Sequence, residues 1–131
     1  MTLSKLLKLT KQPHTLARMQ WWGFLLGWLL ISVATLTPLE HMPTAPGSDK
    51  LHHVIGFAGW ASLCAFGSLQ RFHQLCIGIF LWGGAIELIQ PFVNRYGEWA
   101  DLAANTTGIV LVIILVHLVK RKYKHLTLFS D

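Results

Sequence analysis

Four long apolar runs constrain this chain more than any other feature, because about 20 apolar residues are enough to cross the ~30 Å hydrocarbon core of a bilayer. The runs are Met19–Leu36, Lys50–Leu69, Phe72–Phe92 and Ala100–Val119. Charged residues make up only 13% of the 131 residues, about half the usual share in soluble domains. A soluble bundle would need polar faces at helical spacing, which the first and last runs almost lack. The sequence therefore predicts an all-α, polytopic membrane bundle of four transmembrane helices.

Basic residues are unevenly distributed between these runs. With four spans, nine of the eleven lysines and arginines fall on one side, in the two tails and in the connection between the second and third spans. The other side holds only Lys50 and Arg95. The positive-inside rule then places both termini in the cytoplasm. The expected organisation is a basic cytoplasmic tail over residues 1–18, a four-helix membrane domain over 19–119 and a second basic cytoplasmic tail over 120–131.

The net charge of +5 would indicate nucleic-acid binding in a soluble protein. Here the basic residues flank apolar runs, so membrane topology accounts for them and no nucleic-acid partner is expected. The two cysteines, Cys64 and Cys76, have no spacing typical of a zinc site or a disulfide framework. No tightly spaced ligand motif is present, so the sequence assigns no metal ligands and names no cofactor.

Polar side chains are concentrated near the predicted non-cytoplasmic ends of three spans. Three pairs share a helical face there: Asp49 with His53, Glu87 with Gln90, and Asp101 with Asn105. A carboxylate costs about 2.5–3.5 kcal/mol at the bilayer centre and less toward the edge. Glu87, about one turn below the surface, should therefore face the bundle and have a partner. Because the three helix ends lie on the same side, we expect one polar pocket facing the periplasm.

The order and spacing of these residues resemble a known family, the VanZ-like membrane proteins. The similar pieces are Asp49-Lys50-x-x-His53, Glu87-x-x-Gln90, Arg95 and Asp101-x-x-x-Asn105-x-x-Gly108. Gly97 and Glu98 stand where the family often has a serine after the arginine. The resemblance covers residues 49–108 and implies a bacterial inner-membrane protein linked to low-level resistance to the glycopeptide teicoplanin. It implies no particular reaction, so whether the chain is an enzyme stays open.

The candidate site residues form two groups. The candidate catalytic residues are Glu87, His53 and Asp101, and the candidate ligand-binding residues are Asp49, Lys50, Gln90, Arg95 and Asn105. Lys50 and Arg95 suit an anionic ligand, since a guanidinium binds phosphate in bidentate geometry. Arg95 also has a structural interpretation, an ion pair with Glu98 or Asp101. Helix capping would account equally well for Asp49 and Asp101.

Three kinds of function are compatible with such a site. The first is binding or modification of an outer-leaflet envelope component, such as a phospholipid head group, a polyprenyl-linked precursor or a glycopeptide. The second is divalent-cation binding by Asp49, His53, Glu87 and Asp101. The third is a structural or interaction protein in which the cluster locks helix ends together. Membrane lipid is the expected partner, and the sequence decides neither the ligand nor the oligomeric state.

Overall fold

The computed structural model describes residues 13–41, 46–122 and 129–130, and this part of the chain is almost entirely helical. Its helices are α1 Pro13–Leu36, α2 Asp49–Leu63, α3 Leu69–Ile89 and α4 Trp99–Lys122. Short 3-10 turns cover Leu39–His41 and Gln90–Val93. Two strands of two residues each, β1 Gly67–Ser68 and β2 Phe129–Ser130, pair in parallel. The predicted all-α class is confirmed.

Three helical segments of the described chain are long and apolar enough to cross a membrane: His14–Leu36, Leu69–Val93 and Trp99–Lys122. Helix α2 has only 15 residues and rises about 22 Å at 1.5 Å per residue, which is less than the ~30 Å of a typical hydrocarbon core. The three long helices support the prediction of a helical membrane protein, whereas a fourth span is not confirmed.

The second predicted span, Lys50–Leu69, is wrong at its C-terminal end, because α2 stops at Leu63. The chain then turns through Gly67, whose φ of 94° lies in the left-handed region that glycine tolerates. Ser68 caps α3, since its side chain accepts a hydrogen bond from Arg71 N at 3.4 Å. The predicted connection around Arg71 is therefore wrong as well, because this residue already lies in the first turn of α3.

The predicted tail boundaries also differ from the helix ends. Helix α1 begins at Pro13, so residues 13–18 are helical and continuous with the first predicted span. Lys120–Lys122 form the last turn of α4. Residues 1–12, 123–128 and 131 lie outside the described residues, and the cytoplasmic location of both tails stays a prediction.

Helices α2 and α4 make the most extensive helix–helix contact of the bundle. Gly108 allows this contact, because a Cβ atom there would overlap the Val54 carbonyl oxygen and lie 2.9 Å from Ala58 N. Gly108 therefore lies at a close contact between the two helices. The largest buried apolar side chains belong to one core cluster: Phe57, Trp60, Phe72, Ile79 and Ile86. The bundle therefore has a continuous core that holds its polar helix ends in place.

A buried polar contact also ties α1 to the turn between α2 and α3. Gln20 is fully buried, and its Nε2 donates to Cys64 O at 3.2 Å and to Ser68 O at 2.9 Å. Its Oε1 accepts a hydrogen bond from Arg71 Nη1 at 3.0 Å. The sequence pattern did not indicate this contact, because a single glutamine in an apolar run carries no spacing signal. The contact fixes the opposite end of the bundle from the candidate site.

Candidate functional site

Polar side chains from three helices meet at one end of the bundle, where α2 and α4 begin and α3 ends. We call this the acidic end because it holds four carboxylates: Asp49, Glu87, Glu98 and Asp101. Glu87 and Asp101 are buried, whereas Asp49 and Glu98 are exposed. The structure thus brings together the helix ends that the sequence predicted to converge, with carboxylates at two different depths.

A chain of hydrogen bonds between buried side chains links the three helices. His53 Nδ1 lies 2.8 Å from Asn105 Oδ1, and Asn105 Nδ2 donates to Glu87 Oε1 at 3.5 Å. The second oxygen of Glu87 accepts a hydrogen bond from Glu98 N at 3.0 Å. Glu87 therefore has the partners that a carboxylate near a membrane interior requires. Asn105 joins α2 to α3 and is the central residue of the network.

Lys50 neutralises part of the acidic end. Its Nζ lies 2.6 Å from Glu98 Oε2 and 2.5 Å from Asp101 Oδ1. The side chain of Asp101 is only 3% exposed, so this ion pair compensates a carboxylate that water scarcely reaches. The structural interpretation of Arg95, an ion pair with Glu98 or Asp101, is wrong because Lys50 occupies that position. A ligand anion at Lys50 would have to compete with two carboxylates.

His53 faces one carboxylate oxygen of Asp49 and one of Asp101. His53 Nε2 lies 3.8 Å from Asp49 Oδ2 and 3.8 Å from Asp101 Oδ2. Asp49 is not the helix cap, since Ser48 Oγ accepts the capping hydrogen bond from Leu51 N at 3.2 Å. One ligand atom from each of Asp49, His53 and Asp101 lies within 4.8 Å of the others, so these three residues could hold a metal ion.

Gln90 and Arg95 lie apart from this network, toward the C-terminal end of α1. Gln90 is buried, and its Nε2 donates to Thr35 O at 3.1 Å. Arg95 Nη1 donates to Thr37 O at 3.3 Å, and Arg95 N donates to Gln90 O at 3.1 Å. Gln90 thus holds α1 against α3. Thr35 and Thr37 were not predicted from the sequence, because backbone acceptors carry no residue signal.

A cavity of about 220 Å³ separates Arg95 from the buried network. Its lining residues are Ile31, Ala34, Thr35, Asp49, His52, His53, Gly56, Phe57 and Arg95. Its apolar lining comes from α1 and from Gly56 and Phe57 of α2. The ionisable side chains come from the first turns of α2 and, for Arg95, from the loop before α4. His53 belongs both to the cavity and to the network, whereas Glu87 and Asp101 do not line it. His52, whose Nε2 lies 2.9 Å from Pro46 O, was not predicted as a site residue.

Gly97 packs directly on the backbone of α3, and this explains the glycine at that position. A Cβ atom there would overlap the Glu87 carbonyl oxygen and lie 3.5 Å from Glu87 Cα. We expect Gly97→Ala to push the loop away and to weaken the Glu98 N–H···Glu87 hydrogen bond, at a cost of about 1–3 kcal/mol. Thermal melting of the purified protein measures this loss.

Tyr96→Ala is the control, because Tyr96 is 82% exposed in the same loop and its replacement should change stability by less than about 0.5 kcal/mol. Equal melting temperatures for Gly97→Ala and the unchanged protein would contradict the close contact with Glu87.

The acidic end can serve three kinds of chemistry. Arg95 can bind an anion, the carboxylates and His53 can bind a cation, and His53 can exchange a proton with a molecule in the cavity. Searches of protein-family models, of curated proteins and of solved structures each found no match to this chain.

Proposed function

We propose that this chain is a multi-pass protein of the bacterial inner membrane whose non-cytoplasmic face binds a phosphate-bearing head group of an envelope lipid or lipid-linked precursor. The observation that carries the proposal is the cavity beneath Arg95, which combines apolar walls with charged and imidazole groups near one end. An amphiphilic ligand needs this combination, because its chain requires apolar contact and its head group requires a few placed polar partners.

The size of the cavity favours a lipid head group over a glycopeptide. A volume of about 220 Å³ lies below the ~300–1,000 Å³ of typical pockets for small molecules. This space accommodates a phosphate and the first carbons attached to it. A glycopeptide is many times larger, so it could contact only the rim. The link to teicoplanin that the VanZ-like resemblance implies would then act through a lipid-linked envelope component.

Arg95 is the residue best suited to hold the phosphate. No carboxylate in the described part of the chain lies within 4.0 Å of its guanidinium, and its side-chain hydrogen bond goes to the neutral Thr37 carbonyl. Lys50, by contrast, is held by two carboxylates. A guanidinium with free donors offers the planar fork that matches two phosphate oxygens.

The arrangement supports binding more than modification of the ligand. Glu87, a catalytic candidate from the sequence, does not line the cavity, and both of its oxygens accept hydrogen bonds from the protein. Of the three catalytic candidates only His53 borders the cavity. We therefore assign Glu87 and Asn105 a positioning role behind His53.

Arg95→Gln tests the proposed function. A hydrogen bond to a charged group contributes about 1.5–3 kcal/mol, so we expect the variant to bind a short-chain phosphatidic acid at least about tenfold more weakly. Tryptophan fluorescence of the purified protein in detergent follows the titration, since Trp60 lies in the core next to Phe57 of the cavity wall. Short-chain polyprenyl phosphate and phosphatidylethanolamine identify the preferred head group, and diacylglycerol is the ligand without phosphate.

Arg121→Gln is the matched control, because it removes the same charge from an exposed position at the far end of α4. It should bind phosphatidic acid like the unchanged protein. Equal binding by Arg95→Gln, or equally tight binding of diacylglycerol, would contradict the proposal. A fall in melting temperature that accounts for the lost binding would favour the structural interpretation of the site.

A further inference from the structure

The hydrogen bonds around His53 fix the orientation of its ring. Asn105 Nδ2 donates to Glu87 Oε1, so Asn105 Oδ1 faces His53 Nδ1. A carboxylate and an amide oxygen only accept hydrogen bonds. The contact between Asn105 and His53 therefore requires a proton on His53 Nδ1. With Nδ1 toward Asn105, the other ring nitrogen, Nε2, points away from Asn105.

His53 Nε2 faces two carboxylate oxygens, one from Asp49 and one from Asp101, each 3.8 Å away. This distance is too long for a direct hydrogen bond. In a neutral ring with its proton on Nδ1, Nε2 carries a lone pair. A lone pair between two anionic oxygens is repelled by both, and Asp101 is too buried for water to screen the repulsion. A positive charge between the three atoms would remove the conflict.

Lys50 supplies this charge only in part. Its ammonium contacts Oδ1 of Asp101 and Oε2 of Glu98, whereas Oδ2 of Asp101 is the atom nearest His53. The two oxygens of Asp101 thus face different partners. Lys50 and Arg95 together bring two positive charges to this end of the bundle, against the four carboxylates of the acidic end.

We propose that Asp49, His53 and Asp101 bind a divalent transition-metal cation, with Zn²⁺ as the representative ion. Their ligand atoms lie within 4.8 Å of one another. Bonds of about 2.0–2.1 Å in a tetrahedral site place ligand atoms about 3.3–3.4 Å apart. The ligands must therefore move inward by about an ångström or less each. Asp49 is exposed, so rotation of its side chain can supply much of this movement.

The donor set indicates which cations fit. An imidazole with two carboxylates suits Zn²⁺ and related first-row metals, whereas Ca²⁺ and Mg²⁺ prefer oxygen ligands alone. The hydrogen bond from His53 Nδ1 to Asn105 is the outer contact that orients a metal-bound histidine. Three protein ligands leave a fourth position open. Asp49 and His53 line the cavity, so a ligand in the cavity could reach that position.

Cation binding does not require a lipid in the cavity, and Arg95 is not one of the three ligands. Arg95→Gln is therefore expected to keep Zn²⁺ binding while losing phosphatidic acid binding. This difference separates failure of the metal site from failure of the proposed lipid-binding function.

The test uses the full chain in phosphatidylcholine nanodiscs, stripped of metal with EDTA and titrated with Zn²⁺ against a fluorescent chelator. Loss of an outer contact alone weakens metal binding by about 10–100-fold, so Asp49→Asn, which removes a ligand, should weaken it by about 100-fold or more. Glu40→Gln is the control, because Glu40 is an exposed acid at the same end of the bundle and is outside the three ligands.

Two further readouts complete the test. Co²⁺ in place of Zn²⁺ should produce a visible absorption band in the unchanged protein, and this band should be lost in Asp49→Asn. Nitrogen NMR of the metal-free protein at neutral pH should show one protonated ring nitrogen in His53 and a shift of the other on addition of Zn²⁺. Equal Zn²⁺ affinity of Asp49→Asn and the unchanged protein would overturn the proposal. Two protonated ring nitrogens that Zn²⁺ does not disturb would also overturn it, since the positive charge would then be a proton.

Discussion

Asn105→Leu should lower the free energy of unfolding by about 3–5 kcal/mol, because it leaves two buried groups without partners. Leucine is similar in size to asparagine, so the change removes hydrogen bonds more than it alters volume. His53 Nδ1 loses its acceptor and Glu87 Oε1 loses its donor, and all three residues are at most 6% exposed. Thermal melting and denaturant unfolding of the purified protein in detergent measure the effect.

Thr107→Leu is the control for this change. Thr107 lies on the exposed side of the same helix, and its hydroxyl donates to Ala103 O within that helix. Its replacement should alter stability by less than about 0.5 kcal/mol. A melting temperature of Asn105→Leu equal to that of Thr107→Leu would show that the buried network contributes nothing to the fold.

Gly108→Ala is also expected to destabilise the fold, for a different physical reason. The added methyl group would overlap the Val54 carbonyl oxygen and crowd Ala58 N. These are backbone atoms of α2, so relief requires the two helices to move apart, whereas a side chain could rotate away. Overpacking of this kind costs about 1–3 kcal/mol or more, even though alanine favours a helix over glycine by about 1 kcal/mol.

Gly84→Ala separates packing from helix propensity. No atom lies within 4 Å of a Cβ atom built at Gly84, so this variant should be as stable as the unchanged protein or more stable by up to about 1 kcal/mol. The two alanine variants are therefore expected to shift the melting temperature in opposite directions. A shift in the same direction for both would contradict the close contact between α2 and α4.

The distance between α2 and α4 also determines which contacts the site residues make. Displacement of α4 from α2 would move Asp101 and Asn105 away from His53, since the α2–α4 contact includes all three side chains. Gly108→Ala should therefore weaken Zn²⁺ binding as well as stability. Its effect on lipid binding should be smaller, because neither Asp101 nor Asn105 lines the cavity.

Much of the helical pattern could be predicted from local sequence. The first span was predicted to end at Leu36, where α1 does end, and the last began within one residue of Trp99. The second span was extended too far, because Ala65 and Phe66 are apolar and Gly67 alone gave little warning of a turn. An apolar run does not by itself distinguish a helix from a turn, because a turn can contain apolar residues as well.

The pairing of polar residues on one helical face could also be predicted from local sequence. Spacings of three and four residues place side chains on one helical face, so Asp49 with His53, and Asp101 with Asn105, followed from helix geometry alone. The partners of these residues on other helices could not be predicted from this spacing. The structural interpretation of Arg95 was an ion pair with Glu98 or Asp101, but the structure gives that role to Lys50.

The sequence by itself determined the helical class, the membrane-compatible length of three segments and the helical face that paired polar residues share, because all three depend on spacing along one chain. The tertiary structure decided which side chains meet, since contact depends on how each helix is rotated about its axis and on which neighbour it packs against. This rotation turns Gln90 toward Thr35 on α1 and places His53 between two aspartates. The cavity beneath Arg95 exists for the same reason, because its walls come from segments that are distant in the sequence.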